Sequence, residues 1–264
     1  MKILKLGQMI GGSNSPSGAG FENKYALDFD GVDDYVTFGD EDVFTPNNSG
    51  ANRGITFSLW FKTPSIGGKR ILNKSGLFYA GKNHYEYLIN TQFAGKPQII
   101  FYGGDSVSIS LKLLIGTALT ADTWHHIAFT WSLSPLNASM VGYLDGVRHS
   151  VADGNATHTA VGTWAAVANT NNELYIGRDI SNYAEGLIDE VAIFDDALSA
   201  VEVQAIYNSG TPTDLSGESY LLGYWRNGDT AGTSVYPTIE DYSSEGNDGT
   251  MTNMASGDIV TDVP

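Results

Sequence analysis

The sequence predicts an all-β protein, an antiparallel sandwich of two sheets with one short helix. Short segments with strand-like patterns recur along the chain, and Gly, Asn and Asp separate them. Only one segment carries both the start and the stop signals of a helix. The 264 residues, 42% of them hydrophobic, suffice for one large core. We therefore expect one domain over residues 21–264, preceded by a flexible arm of residues 1–20 that becomes rich in Gly and Ser.

Two segments alternate clearly between apolar and polar residues, as half-buried strands do. In GITFSLWFKT (54–63) the predicted core face carries Ile55, Phe57, Leu59 and Phe61. In SVSISLKL (106–113), Val107, Ile109, Leu111 and Leu113 oppose serines and a lysine. Further strands are predicted at YEYLIN (85–90), QIIFYGG (98–104), TWHHIAFTWS (123–132), MVGYLDGVRHS (140–150), ELYIGRD (173–179), GLIDEVAIF (186–194) and GESYLLGYWRNGD (217–229). Inside MVGYLDGVRHS, Asp145 and Gly146 predict a two-residue type I′ turn.

The predicted helix lies in LSAVEVQAIYNSG (198–210). Ser199 is a good N-cap and Glu202 completes a capping box, while Leu198 and Val203 have the spacing of a hydrophobic staple. Gly210 is the predicted left-handed stop of this helix. We expect its apolar residues to pack on the edge of the sandwich.

The composition excludes several classes of partner. A net charge of -16 and a pI near 4.4 oppose binding to nucleic acid and to anionic membranes. The chain has no cysteine, which removes disulfides and thiolate chemistry. No stretch approaches the roughly 18 uninterrupted apolar residues of a spanning helix. The first 20 residues do not have the pattern of a signal peptide.

Six segments, in this order, resemble the laminin-G-like branch of the concanavalin A-like lectin/glucanase jelly rolls. They are ALDFDGVDDYV (26–36), ITFSLWFK (55–62), WHHIAFTW (124–131), YLDGV (143–147), LYIGR (174–178) and GLIDEVAIFDDALSAVEVQAIYNSG (186–210). The resemblance covers residues 25 to 210 and implies a jelly-roll sandwich.

The C-terminal segment departs from that family order. LLGYWRNGD…DYSSEGNDGT (221–250) resembles the segment that usually precedes the ALDFDG strand, so the chain looks circularly permuted. Residues 215–264 are expected either to complete the same sandwich or to pair with a neighbouring subunit. The chain end also resembles the ends of bacteriophage structural proteins.

The acidic segment ALDFDGVDDYV does not fit an EF-hand, because Val32 takes the fifth position and Asp33 the sixth, where Gly belongs. Asp189 shares the predicted core face of its strand with Val191 and Ile193, so a cation or backbone amides must satisfy it.

The resemblance implies a structural Ca²⁺ held by carboxylates from both ends of the chain. Carried over by position, its ligands are Asp30 and Asp189, with Asp34 or Glu190 as additions. The alternative is that Asp30 forms an Asx turn and Asp189 caps nearby amides.

We expect no catalysis. Retaining glucanases of this superfamily use an E-x-D-x-E strand, and the sequence contains none. His125 and His126 fall on opposite faces of one strand, which prevents joint metal binding. Four aromatic residues are candidates for stacking on sugars: Trp60, Tyr102, Trp164 and Tyr183.

The sequence therefore predicts a non-catalytic virion surface protein: a head decoration, head fibre or tail fibre that binds glycans. Its arm would contact other virion proteins, and the chain would be a homo-oligomer or an assembly subunit. The alternative is a secreted or cell-surface carbohydrate-binding or adhesion module. A glycoside hydrolase is the third interpretation.

Overall fold

The computed structural model describes residues 21–46, 53–79, 82–92, 94–103, 109–133, 139–180, 182–229 and 236–264. The predicted arm, residues 1–20, lies outside the described residues. So do Gly104, at the end of one predicted strand, and residues 106–108, at the start of another.

Two antiparallel sheets form the fold, as the sequence predicts. The first sheet has the order β10 (Val147–His149), β9 (Met140–Leu144), β8 (His125–Trp131), β3 (Ile55–Lys62), β13 (Glu185–Phe194), β1 (Ala26–Asp30) and β17 (Ile259–Val260). In this sheet β14 (Leu221–Trp225) also pairs with β13. The second sheet has the order β11 (Ala156–Val161), β7 (Ser110–Ile115), β6 (Pro97–Tyr102), β5 (Lys82–Thr91), β4 (Arg70–Tyr79), β12 (Leu174–Ile176), β2 (Tyr35–Thr37), β16 (Gly249–Thr252) and β15 (Thr238–Ile239).

The core lies between the two sheets and follows the predicted alternation. The apolar face of β3, Ile55 through Phe61, is at most 2% exposed. Leu111 and Leu113 of β7 join the same cluster, while Ser110 and Lys112 stay half-buried on the outer side. Burying such side chains between two sheets stabilises the fold by about 1.5–3 kcal/mol each.

The alternation is interrupted in β13, which corrects the predicted orientation of Asp189. The register against β3 shifts between Asp189 and Ala192, and Glu190 has a left-handed φ of 49°. Such a β-bulge reverses which face the following residues occupy. Ile188 and Val191 both face the core, so Asp189 points to the outer face, opposite Trp60.

The helix α1 (Ala200–Tyr207) begins as predicted. Ser199 accepts a hydrogen bond from the Glu202 amide, and Glu202 completes the capping box. It ends before Gly210, because Asn208 already has left-handed geometry with a φ of 43°. Asn tolerates this conformation better than most residues. No helix among the described residues has the length and apolarity needed to cross a bilayer.

Val203 and Ile206 of α1 are buried against the outer face of the first sheet. The helix therefore covers part of that face, including Trp60, whose ring stacks on Tyr207 with centroids 5.8 Å apart.

The Asp145-Gly146 turn joins β9 to β10 as predicted. Leu144 pairs with Val147 across the turn, and φ is 51° at Asp145 and 72° at Gly146. Both values are those of a type I′ hairpin. The carboxylate of Asp145 also accepts hydrogen bonds from the His126 amide and the His125 ring.

The strands of the C-terminal segment lie in both sheets of this same chain. β14 pairs with the second half of β13, end to end with β1, which pairs with the first half. β17 pairs with the outer edge of β1, and β16 with β2.

Candidate functional site

The outward face of the second sheet concentrates half-buried tyrosines and arginines. On β2 and β12, Val36, Leu174 and Ile176 point into the core, so the intervening Tyr35 and Tyr175 point outward. We call this surface the tyrosine face. Its members are Tyr35, Tyr85, Tyr102, Tyr175, Tyr183, Arg70 and Arg178.

Arg178 lies at the centre of one half of the tyrosine face. Its guanidinium carbon is 4.4 Å from the ring centroid of Tyr35, 4.8 Å from that of Tyr175 and 5.8 Å from that of Tyr183. Tyr35 and Tyr175 also meet edge to face, with centroids 5.8 Å apart. These cation–π and aromatic contacts hold the side chains in fixed positions.

Arg70 lies in the other half, beside Tyr85 and Tyr102. These two rings are 5.1 Å apart with an angle of 32° between their planes. Arg70 donates from Nε to the carboxylate of Asp179, the residue that follows Arg178. Burial raises the pKa of Tyr102 to about 12, so its hydroxyl stays protonated and able to donate. The Arg70–Asp179 pair thus joins the two halves.

Two buried side-chain amides on the same face each have one atom that lacks a partner among the described residues. Asn73 lies opposite Tyr175, and Asn90 lies opposite Arg70. They are 0% and 4% exposed, yet Nδ2 of Asn73 and Oδ1 of Asn90 form no hydrogen bond. Buried polar groups are normally paired, so these two atoms are exceptions, but their burial keeps them from reaching a ligand at the surface.

The structure brings together two of the four predicted sugar-binding residues. Tyr102 and Tyr183 both belong to the tyrosine face. Trp60 is 3% exposed beneath Tyr207 and His126, which leaves no ring face for a sugar. Trp164 packs against the core, edge to face with Trp131 at 5.9 Å.

The four predicted metal ligands lie in two separate groups. In the register of β1 against β13, Asp30 lies opposite Glu185. The same register places Asp189 opposite Ala26, four residues before Asp30. Four residues along a strand span roughly 13 Å, too far for one ion to bridge. The four carboxylates therefore do not fit a single calcium site.

Around Asp30, the Asx turn of the alternative prediction is present. Oδ1 of Asp30 accepts from the amides of Val32 and Asp33 at 2.7 and 3.3 Å. Asp34 accepts from the Asp30 amide at 3.0 Å, and burial raises its pKa to about 6. Asp30, Asp33 and Asp34 bring carboxylate oxygens within 4.8 Å of one another.

Asp189 and Glu190 are buried beside the C-terminal segment. Asp189 accepts from Nδ2 of Asn23 and from the Glu190 amide, both at 2.8 Å. Glu190 accepts from the Tyr224 hydroxyl and from Arg226 Nε. Burial raises the pKa of Asp189 well above its usual range, and raises that of Glu190 to about 7 against the opposing effect of Tyr224 and Arg226.

The described residues include a serine–histidine pair, but it is inaccessible. Ser58 Oγ lies 2.8 Å from His126 Nε2, and both residues are at most 1% exposed. Burial lowers the pKa of His126 to about 4, which keeps the ring neutral. His125 is occupied by Asp145 and by the Thr120 amide. A nucleophile must reach its substrate, so this pair serves packing.

A family model described as the concanavalin A-like lectin/glucanases superfamily matches residues 30–204, well over half of the sequence. The chain belongs to this superfamily. No curated protein sequence matches it.

A solved structure of low sequence identity shares the fold of this chain, and two others resemble it at lower TM-scores. A candidate carbohydrate-binding protein from Bacteroides ovatus is 14% identical over 89% of this chain, with a TM-score of 0.58. This chain spans 60% of that protein's length. The CBM40 of the Ruminococcus gnavus IT-sialidase, solved with α2,3-sialyllactose, is 13% identical over 70% of this chain and 97% of its own, with a TM-score of 0.46. A Limulus polyphemus pentraxin is 13% identical over 72% of this chain and 84% of its own, also with a TM-score of 0.46.

In this member of the superfamily, sequence reasoning missed the centre of the tyrosine face. Tyr35, Tyr175 and Arg178 all lie in the segments that carry the family resemblance, DDYV and LYIGR. The available signal was the alternation within these segments, which puts both tyrosines on the face opposite the core.

Proposed function

We propose that this chain is a non-catalytic glycan-binding module and that the tyrosine face is its binding surface. The observation that carries the proposal is the set of five half-buried tyrosines held around two arginines on one outward face. Sugar rings present apolar C–H faces that pack on aromatic rings, while their hydroxyls need convergent polar groups. The tyrosine hydroxyls and the guanidinium groups would supply those polar groups.

The shared fold supports this assignment without identifying a ligand. The Bacteroides ovatus protein, similar above a TM-score of 0.5, is itself named for carbohydrate binding. Because identity is 14%, what passes to this chain is the fold, and the binding residues must be argued from its own surface.

The absence of catalysis is part of the proposal. Glycosidases need two carboxyl groups on either side of the scissile bond, one of them acting as an acid. Two described carboxylates contact this face: Asp179 is paired with Arg70, and Glu173 accepts hydrogen bonds from the hydroxyls of Tyr175 and Thr37. Both are committed to fixing the tyrosine face.

The test is a glycan array followed by calorimetric titration of the best ligand. Tyr102→Ala and Tyr183→Ala should each weaken binding about 5- to 100-fold, which corresponds to about 1–3 kcal/mol. Tyr220→Ala is the matched control, because Tyr220 is also half-buried beneath an arginine, Arg53, but lies outside the face. Equal losses in all three variants, or no ligand on the array, would overturn the proposal, and turnover of a bound polysaccharide would refute its non-catalytic part.

We also propose that the module acts on a virion surface, with secretion or cell-surface display as the alternative. Support comes from the resemblance of the C-terminal segment to bacteriophage structural proteins and from the Gly- and Ser-rich arm, residues 1–20, as a tether to other virion proteins. Detection of the chain in purified particles by mass spectrometry would support this location. Its presence only in cell-free medium would support secretion.

A further inference from the structure

Arg178 differs from the other four arginines in its charge pairing. Arg53, Arg70, Arg148 and Arg226 each form an ion pair with Asp or Glu. Within the described part of the chain Arg178 forms none, although acids outnumber basic residues by 30 to 14. A half-buried, unpaired guanidinium in an acidic protein is unusual, because burial favours a counter-charge.

The surroundings of Arg178 fix its position and leave its outer nitrogens uncommitted. Three tyrosine rings surround the guanidinium, and Nε donates to the backbone oxygen of Asp179 at 3.1 Å. Nη1 and Nη2 form no hydrogen bond to any described residue. Neither Asp179 nor Glu173 forms an ion pair with Arg178: the Asp179 carboxylate pairs with Arg70, and that of Glu173 accepts hydrogen bonds from the hydroxyls of Tyr175 and Thr37.

We propose that the tyrosine face selects sugars that carry a carboxylate, with Arg178 as the carboxylate-binding residue; this inference rests on the proposed function. The free Nη1–Nη2 edge of this planar guanidinium matches a carboxylate in a bidentate pair. The adjoining tyrosines would hold the ring that carries this carboxylate. Both uronic acids and sialic acids present this chemistry.

Charge complementarity distinguishes this ligand class from neutral sugars. A neutral hydroxyl accepts one hydrogen bond from Arg178, but it leaves the cation without a counter-charge as the ligand displaces solvent. Charge-assisted hydrogen bonds are roughly twice as strong as neutral ones. The overall charge of -16 opposes acidic ligands at a distance, but screening limits this repulsion to about 8 Å at physiological salt.

The experiment compares each acidic glycan with its neutral counterpart on the same protein at physiological salt. The pairs are a glucuronate oligosaccharide with its carboxyl-reduced form, and a sialylated oligosaccharide with its methyl ester. The wild type should bind at least one acid about tenfold more tightly than its neutral partner, or about 1.4 kcal/mol. The pair that shows the preference identifies the source of the carboxylate.

Variants assign the preference to Arg178. Arg178→Gln should reduce the acid-to-neutral ratio to about one, and Arg178→Lys should retain part of it. Arg53→Gln, at a second arginine stacked on a tyrosine, should leave the ratio unchanged. Near-ultraviolet circular dichroism checks that each variant keeps its tyrosine packing.

Two negative outcomes are distinguishable. Equal binding of acidic and neutral partners by the wild type, or an unchanged ratio in Arg178→Gln, overturns the role of Arg178 and leaves glycan binding intact. Absence of binding to every glycan overturns both proposals.

Discussion

Arg226 Nε lies 3.3 Å from Oε1 of Glu190, so a residue of the C-terminal segment contacts the acid at the bulge of β13. The contact is nearly dry, since the two side chains are 12% and 3% exposed. The contact adds to the strand pairing between β13 and β14. Because Glu190 is a buried titratable group, the stability of this strand pair depends on pH.

Stability should fall as pH rises from about 4.5 through about 7. Burial raises the folded-state pKa of Glu190 from 4.5 to about 7, so the folded protein retains a proton that the unfolded chain has lost. This proton contributes at most about 3 kcal/mol to the free energy of unfolding. The stabilisation is fully present below about pH 4.5 and is lost above about pH 7. Urea unfolding between pH 4.5 and 8 measures it.

Glu190→Gln should reduce that pH slope, because the amide stays neutral throughout. Some slope should persist, since the pKa of Asp189 is also raised and acts in the same direction. Glu41→Gln, at an exposed acid, is the control and should leave the slope unchanged. An identical slope in wild type and Glu190→Gln would exclude Glu190 as its source.

Trp225→Ala should destabilise the fold by about 3–5 kcal/mol, as large-to-small changes in a core do. Trp225 of β14 is fully buried, with ring centroids 4.2 Å from Phe38 and 5.6 Å from Phe44. Trp124→Ala, at a half-buried tryptophan, should cost about 1 kcal/mol or less. The free energy of unfolding in urea measures both, and similar losses would contradict a core role for the C-terminal segment.

Gly146→Ala should cost more stability than Gly154→Ala. Both glycines have φ near 70°, so both replacements carry the same backbone strain of about 1 kcal/mol or more. At Gly146 the added Cβ would also lie 2.6 Å from Cδ1 of Tyr207, whereas at Gly154 nothing lies within 4 Å. Thermal unfolding midpoints compare the two variants, and equal shifts would show that Tyr207 moves aside at little cost.

The effects of Asp30→Asn and Asp189→Asn on stability should add to within about 0.5 kcal/mol, because the two acids share no partner. The double-mutant cycle is measured in urea with calcium and with a chelator. A coupling above about 1 kcal/mol that appears only with calcium would mean that one ion joins the two acids, contrary to their separation along β1 and β13.

Local signals in the sequence predicted local structure. Ser199 and Glu202 specify the helix start within four residues, and Asp145-Gly146 specifies the hairpin, so neither depends on distant contacts. The core face of β3 was equally readable, since alternation fixes it residue by residue. The end of α1 was less clear, because Asn208 and Gly210 both tolerate left-handed geometry.

Features that depend on distant contacts could not be predicted in the same way. Nothing local marks the bulge at Glu190, yet it reverses the orientation of Asp189 and separates it from the expected calcium set. Trp60 alternates outward as expected but lies beneath Tyr207, which comes almost 150 positions later. The environment of Arg178 likewise requires β2 and β12 to be neighbours, which only the sheet order establishes.

The end-to-end arrangement of β1 and β14 along β13 bears on the synthesis of this protein. While the ribosome is still translating residues 221–225, the second half of β13 has no partner on that side, and β1 cannot gain β17 until residue 260 has emerged. Open strand edges promote association between nascent chains. Slow translation of the codons for residues 221–260 should therefore increase the demand for chaperones that shield this edge.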